Sequence, residues 1–431
     1  MPTLLVKDAT IVTQDAKRRV VRGDLRAEEG VITHVGPIAP QHADVVIEAK
    51  GDILLPGLVN AHTHSPMTLL RGLGDDLPLE DWLRTRIWPA EKNLTRSDIE
   101  AGTDLALLEM TRTGTTAFAD MYFYADATAE CTKKAGLRGL IAGTLVDFDT
   151  PEHKYGSLRD ATRKFVQRWS GHPLISPAIA PHSTYTCSDE TLDFARQLRD
   201  ETGARIHTHC SETRFEVQDV LQKRGARPVG VLEKHDLLRD AVLAHCGWVT
   251  KEEIQTLSRH AAHAVHCPVS NLKLATGGTM PLIEMLDAKL NVALGTDGAA
   301  SNNTLDLIET AKFAALVQKQ HRWDARAANA QQVLDAATRG GARALHTGSG
   351  ALEVGAPADL VLVSTRAPHM APLHDPVSTL AYCANGADVR ATIVAGRVLY
   401  LDGQHKTLDA ERVIARANEA AERVASSAGL R

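Results

Sequence analysis

Two histidines, His62 and His64, end an apolar run in the segment LVNAHTH, residues 58–64. Residues i and i+2 of a β-strand point to the same face, so both imidazoles face one side. The segment contains no acidic residue that could pair with them. Two neutral imidazoles on one face can both ligate a divalent metal ion, so this spacing predicts part of a metal site.

Other polar residues end apolar runs further along the chain: His182, His209, His245, His266 and Asp297. His209 and Asp297 are the best candidates for further ligands, because each ends a predicted strand and is followed by a turn. Three histidines and one aspartate leave a position open for water, which is typical of a catalytic metal site. At any single position, a hydrogen-bonded core histidine is the alternative interpretation.

Glu212 follows His209 by three residues in the segment HCSE. A carboxylate beside a metal site can carry protons between water and substrate. The alternative is a glutamate in the first turn of a helix, favoured by the helix dipole. His207 repeats the H-x-H pattern, but one further ligand suffices and His209 lies nearer the strand end, so His207 is left out. The histidines of HAAHAVH, residues 260–266, cross from helix into strand, which favours structural roles.

Strand-like and helix-like segments alternate over residues 56–345, which predicts βα units and a parallel sheet. The eight strand-like runs are LVNAHTH, TAFADM, RGLIAGTLVD, LISPAIAPHS, RIHTHCSE, AVLAHC, HAVHCPVS and NVALGTDG. Eight such units predict a closed (β/α)8 TIM barrel, whose chemistry lies at the carboxyl ends of the strands. An open doubly wound sheet is the competitor, but no glycine-rich phosphate fingerprint follows the first strand.

Both chain ends have a different sequence pattern, with short strand-like runs of alternating apolar and polar residues separated by glycine turns. Residues 1–55 and the segment from 346 are similar in composition, and we expect them to form one small β-sandwich domain beside the barrel. Residues 346–431 also include the sequence DAERVIARANEAAERVASSAG, which predicts an amphipathic terminal helix. The predicted fold class is therefore α/β, with a barrel and a sandwich.

The composition restricts the possible partners. The 431 residues have a formal net charge of −5, and the charges are interspersed, which argues against nucleic-acid or anionic-membrane partners. The sequence shows no apolar stretch of transmembrane length and no signal-peptide pattern, so we expect a soluble cytoplasmic protein. Six cysteines form no C-x-x-C pair. Cys210, Cys246 and Cys267 end apolar runs, which favours buried thiols over catalysis.

Several segments together resemble the amidohydrolase superfamily over nearly the whole chain: PGLVNAHTH, HCSE, AHC, HCPVSNLKLA and LGTDGAASNN. The segments MTLLRGLGDDLPLEDWL and IWPAE are most similar to its 5-methylthioadenosine/S-adenosylhomocysteine deaminase group. The resemblance implies hydrolytic conversion of the 6-amino group of an adenosine-type nucleoside to the inosine product, with release of ammonia. The alternative is a deaminase or hydrolase of a free aminoheterocycle, guanine-type or triazine. A third reading is a metal-less scaffold, but the full ligand set argues against it.

The resemblance also implies a cofactor and a ligand set. One Zn²⁺ per subunit, or Fe²⁺ as the alternative, would be held by His62, His64, His209 and Asp297. It further implies a small-molecule substrate and assembly as a homodimer or homotetramer.

Catalytic and substrate-binding roles are implied in the same way. Glu212 would carry protons to the ring nitrogen beside the attacked carbon, and His245 would orient the hydroxide or the intermediate. Asp297 would touch the metal and receive the proton from the water. Glu91 would bind the ribose hydroxyls, which suits a carboxylate acceptor, and His182 would hold the nucleoside.

One stretch departs from the pattern of the group. Members that accept S-adenosylhomocysteine grip its carboxylate with arginines just beyond the third barrel strand. Here residues 144–149 read TLVDFD, without arginine, and Arg138 lies before the strand. We therefore expect weak use of S-adenosylhomocysteine and better use of methylthioadenosine, 5′-deoxyadenosine or adenosine.

Overall fold

The computed structural model describes residues 3–37 and 42–430. These residues form two sheets, one from the chain ends and one from the middle of the chain. The strands, in chain order, are β1 (Leu4–Val12), β2 (Val20–Glu28), β3 (Val31–Gly36), β4 (Val45–Glu48), β5 (Ile53–Pro56), β6 (Leu58–Thr63), β7 (Thr115–Tyr122), β8 (Arg138–Leu145), β9 (Ile175–Pro181), β10 (Arg205–Cys210), β11 (Val242–His245), β12 (His263–His266), β13 (Asn291–Leu294), β14 (Leu360–Val363), β15 (Val389–Val394), β16 (Arg397–Leu401) and β17 (Gln404–His405).

Helices connect the strands and cover the outside of the middle sheet. They are α1 (Leu79–Trp82), α2 (Trp88–Glu91), α3 (Arg96–Arg112), α4 (Ala125–Ala135), α5 (Tyr155–Trp169), α6 (Asp189–Thr202), α7 (Arg214–Arg224), α8 (Pro228–Lys234), α9 (Lys251–Arg259), α10 (Pro268–Lys273), α11 (Leu282–Asp287), α12 (Ala299–Asn302), α13 (Leu307–Arg322), α14 (Ala330–Asp335), α15 (Gly341–Leu345), α16 (Pro376–Tyr382) and α17 (Ala410–Ser427). Short 3₁₀ segments cover Ser65–Leu70, Pro368–Met370 and Gly386–Asp388, and π-helical segments cover Leu83–Ile87 and Ala336–Gly340.

The middle sheet is the predicted barrel. Strands β6 to β13 follow one another in chain order, and neighbouring strands pair in parallel. Parallel strands covered on both faces are buried throughout, as in β7, where all eight residues are buried. The prediction of an α/β fold with eight barrel strands is therefore confirmed.

Side chains close the barrel between its first and last strands. Asn60 donates from Nδ2 to Thr296 Oγ1 at 2.7 Å and accepts from the Thr296 amide at 3.0 Å. The amide of Asp297 donates to the carbonyl of His62 at 3.0 Å. This closure brings the end of β6 and the turn after β13 together at the carboxyl end of the barrel.

The chain ends form a nine-stranded, largely antiparallel sheet, in which β14 pairs with β5 and β5 pairs with β1. It encloses a core of its own that draws on both ends, including Leu4, Leu25, Leu362 and Ile393. The prediction that both ends pack together is confirmed. The boundaries expected after residues 55 and 345 remain predictions; β5 spans the first of them.

The terminal helix α17 does not extend the sheet. It packs against α3, where Arg416 pairs with Glu100 at 3.0 Å and Arg423 pairs with Asp98. Within the described residues, every helix is too short or too polar to cross a bilayer.

Candidate active site

A cavity of about 400 Å³ opens at the carboxyl ends of the barrel strands. Seven of the eight residues to which the sequence assigns a role in the site line it: His64, Glu91, His182, His209, Glu212, His245 and Asp297. The eighth, His62, is completely buried, with its ring 4.8 Å from that of His64. The strand ends, the loops that follow them and α2 thus bring all eight residues together, in a cavity of a size typical of small-molecule sites.

Ring nitrogens and one carboxylate converge on a single point. Nε2 of His62 lies 3.5 Å from Oδ1 of Asp297, and Nε2 of His64 lies 3.3 Å from the same oxygen. Nε2 of His209 lies 3.3 Å from Nε2 of His64. Nε2 of His62 is buried without a hydrogen-bond partner among the described residues. An unpartnered buried nitrogen facing a carboxylate and two other imidazoles fits a bound metal ion.

Hydrogen bonds at Nδ1 orient the rings of His64 and His209 so that their Nε2 lone pairs face the candidate metal site. Nδ1 of His64 donates to the carbonyl of Met121 at 2.6 Å, and Nδ1 of His209 donates to the carbonyl of His182 at 2.8 Å. A neutral imidazole that carries its hydrogen on Nδ1 has a lone pair on Nε2. Burial lowers the pKa of His209 well below its ordinary value, so that ring is neutral, as a metal ligand must be.

His62 has a different partner behind it. Its Nδ1 lies 2.9 Å from Nε2 of His207, which is also completely buried. Donation from His62 to His207 leaves Nε2 of His62 free to face the convergence point. Burial lowers the pKa of His62 to about 4, and the neighbouring His64 adds to the shift. His207, which was not predicted to be a ligand, lies directly behind one of the candidate ligands.

Asp297 is held in its orientation by three hydrogen bonds to its carboxylate. Oδ2 accepts from Ser270 Oγ at 2.6 Å and from Ser301 Oγ at 3.0 Å, and Oδ1 accepts from the Gly298 amide at 2.8 Å. Burial opposes ionisation, but the adjacent His62 and the other surrounding imidazoles hold the pKa of Asp297 well below its ordinary value. The group is therefore a carboxylate at neutral pH.

His245 lies close enough to His62 and His209 to be a fourth imidazole ligand. Its Nδ1, however, accepts a hydrogen bond from Nδ2 of Asn271 at 3.2 Å. A neutral ring that accepts at Nδ1 carries its hydrogen on Nε2, so Nε2 is a donor and not a lone pair. That donor lies 3.8 Å from Oε2 of Glu212, and both residues line the cavity.

Glu212 lines the cavity from the turn between β10 and α7. Burial raises the pKa of its carboxyl, and the charge of Asp297 adds to the shift, while His245 and His64 oppose it. A carboxyl whose pKa moves towards neutrality can both accept and donate a proton near neutral pH, which is what proton transfer requires.

Glu91 is fixed from α2 at the other side of the cavity. Tyr122 Oη donates to its Oε1 at 2.7 Å, and burial raises the pKa of Glu91 to about 7 against that hydrogen bond. Buried neighbours such as Trp82 and Ile87 hold the segment that carries it. His182 lies nearby, with Nδ1 at 3.1 Å from Thr186 Oγ1 and its ring 4.6 Å from that of His209.

The histidines of residues 260–266, for which structural roles are expected, lie outside this cavity. His266 is buried and is not among the cavity residues, and His263 begins β12 at the opposite end of the barrel. There, Asp240 lies 2.8 Å from Nε2 of His263 and 3.3 Å from Nε2 of His346. Nε of Arg205 lies 3.1 Å from the same carboxylate and already balances its charge, so this group is an ion-pair network and a poor cation site.

The sequence model of the amidohydrolase family matches residues 53–399. The chain belongs to this family. The amidohydrolase is 42% identical over 426 residues to the 5′-deoxyadenosine deaminase of Methanosarcina mazei, covering 98% of each chain. It is 40% identical over 414 residues to the 5-methylthioadenosine/S-adenosylhomocysteine deaminase of Pyrococcus furiosus, covering 95% of this chain and 98% of the relative.

A solved structure extends the similarity to three dimensions. The crystal structure of an adenosine deaminase from Xanthomonas campestris with bound zinc is 37% identical to this amidohydrolase. It superposes with a TM-score of 0.94 over 98% of each chain. The barrel and the sheet of the chain ends are therefore shared with that amidohydrolase fold.

Proposed function

We propose that this amidohydrolase is a metal-dependent hydrolytic deaminase of adenosine-type nucleosides, which releases ammonia from the 6-amino group. The observation that carries the proposal is that Nε2 of His62 and Nε2 of His64 face the Asp297 carboxylate, with Nε2 of His209 3.3 Å from that of His64, in the cavity that Glu212 lines. Its near-full-length relatives are named as deaminases of such nucleosides, which supports the same substrate class.

Zinc is the metal we propose, with one ion per subunit. His62, His64, His209 and Asp297 would hold it, since their ligand atoms face one point. The nitrogen and oxygen donors suit zinc, and Fe²⁺ suits the same set. The zinc in the Xanthomonas campestris structure supports this choice. When bound, the ion would lower the pKa of a water to about 7 and so supply hydroxide at neutral pH.

Residues of the chain carry the protons of the reaction. Glu212 accepts a proton from the attacking water and delivers it to the ring nitrogen beside the attacked carbon, which relieves the charge that develops on the ring. The Nε2 hydrogen of His245 orients the attacking oxygen, because Asn271 fixes that tautomer. Asp297 accepts the second proton of the water and passes it to the exocyclic amino group, which then leaves as ammonia.

Glu91 and His182 bind the nucleoside in this proposal. Tyr122 occupies Oε1 of Glu91, which leaves Oε2 to accept from the ribose hydroxyls. His182 lies beside His209 and lines the same cavity, where its ring can contact the nucleoside.

The wall around the 5′ position is apolar in this proposal. Thr144, near the end of β8, and Val146 and Phe148, just beyond it, line the cavity, and none of the described lining residues is Lys or Arg. Arg138 begins β8 and pairs with Asp359 at 2.8 Å, away from the cavity. A zwitterionic 5′ substituent would lose water here without gaining a counter-charge, so we propose a preference for methylthioadenosine, 5′-deoxyadenosine or adenosine over S-adenosylhomocysteine.

Ammonia release by the zinc-loaded protein tests the proposal. The panel is methylthioadenosine, 5′-deoxyadenosine, adenosine, S-adenosylhomocysteine, guanine and melamine. We expect release from the adenosine compounds. Turnover of guanine or melamine with no turnover of nucleosides would instead favour a free aminoheterocycle as the substrate.

A matched variant tests the ribose contact separately. Glu91→Gln keeps the size of the side chain but removes its charge, so it should raise KM for adenosine and leave KM for free adenine unchanged. Equal effects on both substrates would contradict a contact between Glu91 and the ribose.

A further inference from the structure

Glu216, in the first turn of α7, is a buried carboxylate with no part in the proposed reaction. It is 4% exposed, and the ion pairs of the described residues give it no Lys or Arg partner. Burying a carboxylate without a cation is costly unless hydrogen bonds replace those of water. The groups that supply those hydrogen bonds therefore indicate what the residue does.

Two consecutive backbone amides are its partners. Oε1 of Glu216 accepts from the amide of Ser211 at 3.1 Å, and Oε2 accepts from the amide of Glu212 at 2.6 Å. Both oxygens of the buried side chain are thus committed to the two residues that lead from β10 towards α7. One of those residues is the proposed proton carrier.

The T-x-x-E pattern at this helix predicts an ordinary capping box, and α9 has one. There the Glu253 carboxylate accepts from the amide of its own N-cap residue, Thr250, at 2.8 Å, and pairs with Arg227 at 3.0 Å. In α7, Thr213 caps the amide of Glu216 in the usual way. The Glu216 carboxylate, however, does not accept from the amide of its N-cap residue, Thr213. It accepts instead from the amides of the two preceding residues, Glu212 and Ser211.

The segment whose amides Glu216 binds has an unfavourable backbone conformation. Ser211 has φ +51°, in the left-handed region that side-chain-bearing residues rarely adopt. Its carbonyl accepts from the amide of Trp248 at 3.0 Å, so the residue is held on both sides. This conformation turns the chain so that Glu212 lines the cavity opposite His245.

We propose that Glu216 is a positioning residue for Glu212, because its carboxylate fixes the amides of Ser211 and Glu212 and so aims the proton carrier into the cavity. This inference rests on the proposed function, since it concerns the residue that carries protons. A misplacement of about 1 Å can reduce turnover by about 10²-fold, which sets the size of the expected effect.

Glu216→Gln is the first variant, because glutamine has the same shape but one of its terminal groups is a donor that would face an amide hydrogen. We expect kcat to fall by about 10–100-fold while KM and bound zinc stay at wild-type values. Glu253→Gln is the matched control: it alters the corresponding carboxylate of α9, and it should lower Tm without changing kcat.

A double variant separates positioning from general structural damage. If Glu216 acts through Glu212, Glu212→Gln/Glu216→Gln should be no slower than Glu212→Gln alone. Additive losses, or an unchanged kcat in Glu216→Gln, would overturn the proposal. If Glu216→Gln is insoluble, Glu216→Asp keeps the charge, is one methylene shorter, and should show the same loss of kcat at unchanged KM.

A crystal structure of the Glu216 variant tests the positioning without any substrate. We expect the Glu212 carboxylate to move away from His245; an unmoved Glu212 would refute the inference whatever the enzyme acts on. Absence of nucleoside turnover by the wild-type protein would instead count against the proposed function, so the two failures are distinguishable.

Discussion

Nε2 of His207 lies 2.9 Å from Nδ1 of His62, and both side chains are completely buried. The pair extends the candidate metal site by one residue behind its innermost ligand. Partners of this kind set the tautomer and orientation of a ligating histidine. Since Nδ1 of His207 has no partner of its own among the described residues, His62 is its main polar contact.

The first prediction concerns this contact. His207→Ala should weaken zinc binding by about 10–100-fold, the usual cost of losing such a partner. The measurement is zinc dissociation in competition with a chromogenic chelator, which does not depend on activity. His207→Gln, which can still accept from His62, should recover part of the affinity. Wild-type affinity in a folded His207→Ala protein would exclude the orienting role.

The second prediction distinguishes the proton carrier from a ligand. Glu212→Gln should retain zinc and lose about 10²–10⁴-fold in kcat, because its amide cannot carry a proton. His62→Ala should lose zinc and activity together, because it removes a ligand. Metal content and steady-state rates measured on both variants check this. Near wild-type turnover in Glu212→Gln would show that another group carries the protons.

The third prediction uses the pH dependence of stability at Glu91. Its pKa is raised by burial to about 7, so the folded state binds a proton that the unfolded chain loses at lower pH. The resulting stabilisation is complete below the unfolded pKa and is lost as the pH rises through about 7. Glu91→Gln should therefore be more stable than wild type at about pH 8, by a free energy of unfolding on the order of 1–2 kcal/mol.

Thermal unfolding at several pH values provides the measurement and its own control. Near pH 4.5, where the ordinary glutamate titrates, the two proteins should have similar Tm values. A constant difference in Tm across the whole range would mean that the charge of Glu91 is not responsible.

The fourth prediction concerns the 5′ substituent. Phe148, which is 53% exposed at the cavity rim, lies in the stretch that lacks arginine. Phe148→Arg should raise kcat/KM for S-adenosylhomocysteine by about 10-fold relative to methylthioadenosine, the size expected of one charged hydrogen bond. Phe148→Gln, which is polar but uncharged, is the control. Equal efficiency of the wild-type protein on both substrates would contradict the apolar 5′ wall.

Much of the architecture could be predicted from local patterns. Buried parallel strands read as apolar runs, and the polar residue that ends each run, such as His209 or Asp297, marks the carboxyl end of the barrel. The spacing of His62 and His64 works for the same reason, since the period of a strand is two residues. These patterns depend only on residues close together in the sequence, so they can be recognised without knowing which distant segments pack against them.

The partners of the site residues were beyond this approach, because they depend on contacts between distant segments. Asn271 fixes the tautomer of His245 across 26 residues, and Tyr122 holds Glu91 across 31. Neither residue has a distinctive neighbour in the sequence. Glu216 is a different case: its T-x-x-E pattern is visible but predicts an ordinary cap, and only the left-handed turn at Ser211 directs it elsewhere.

The join between β6 and β13 has a consequence for the assembly of the barrel. The hydrogen bonds between β6 and the turn after β13 include those of Asn60 with Thr296, of the Asp297 amide with the His62 carbonyl, and of Thr63 Oγ1 with the Asp297 carbonyl. The candidate ligands His62 and Asp297 lie on opposite sides of that join. An ion coordinated by both residues would link the first strand of the barrel to the last. Metal binding would then couple closure of the barrel to formation of the active site.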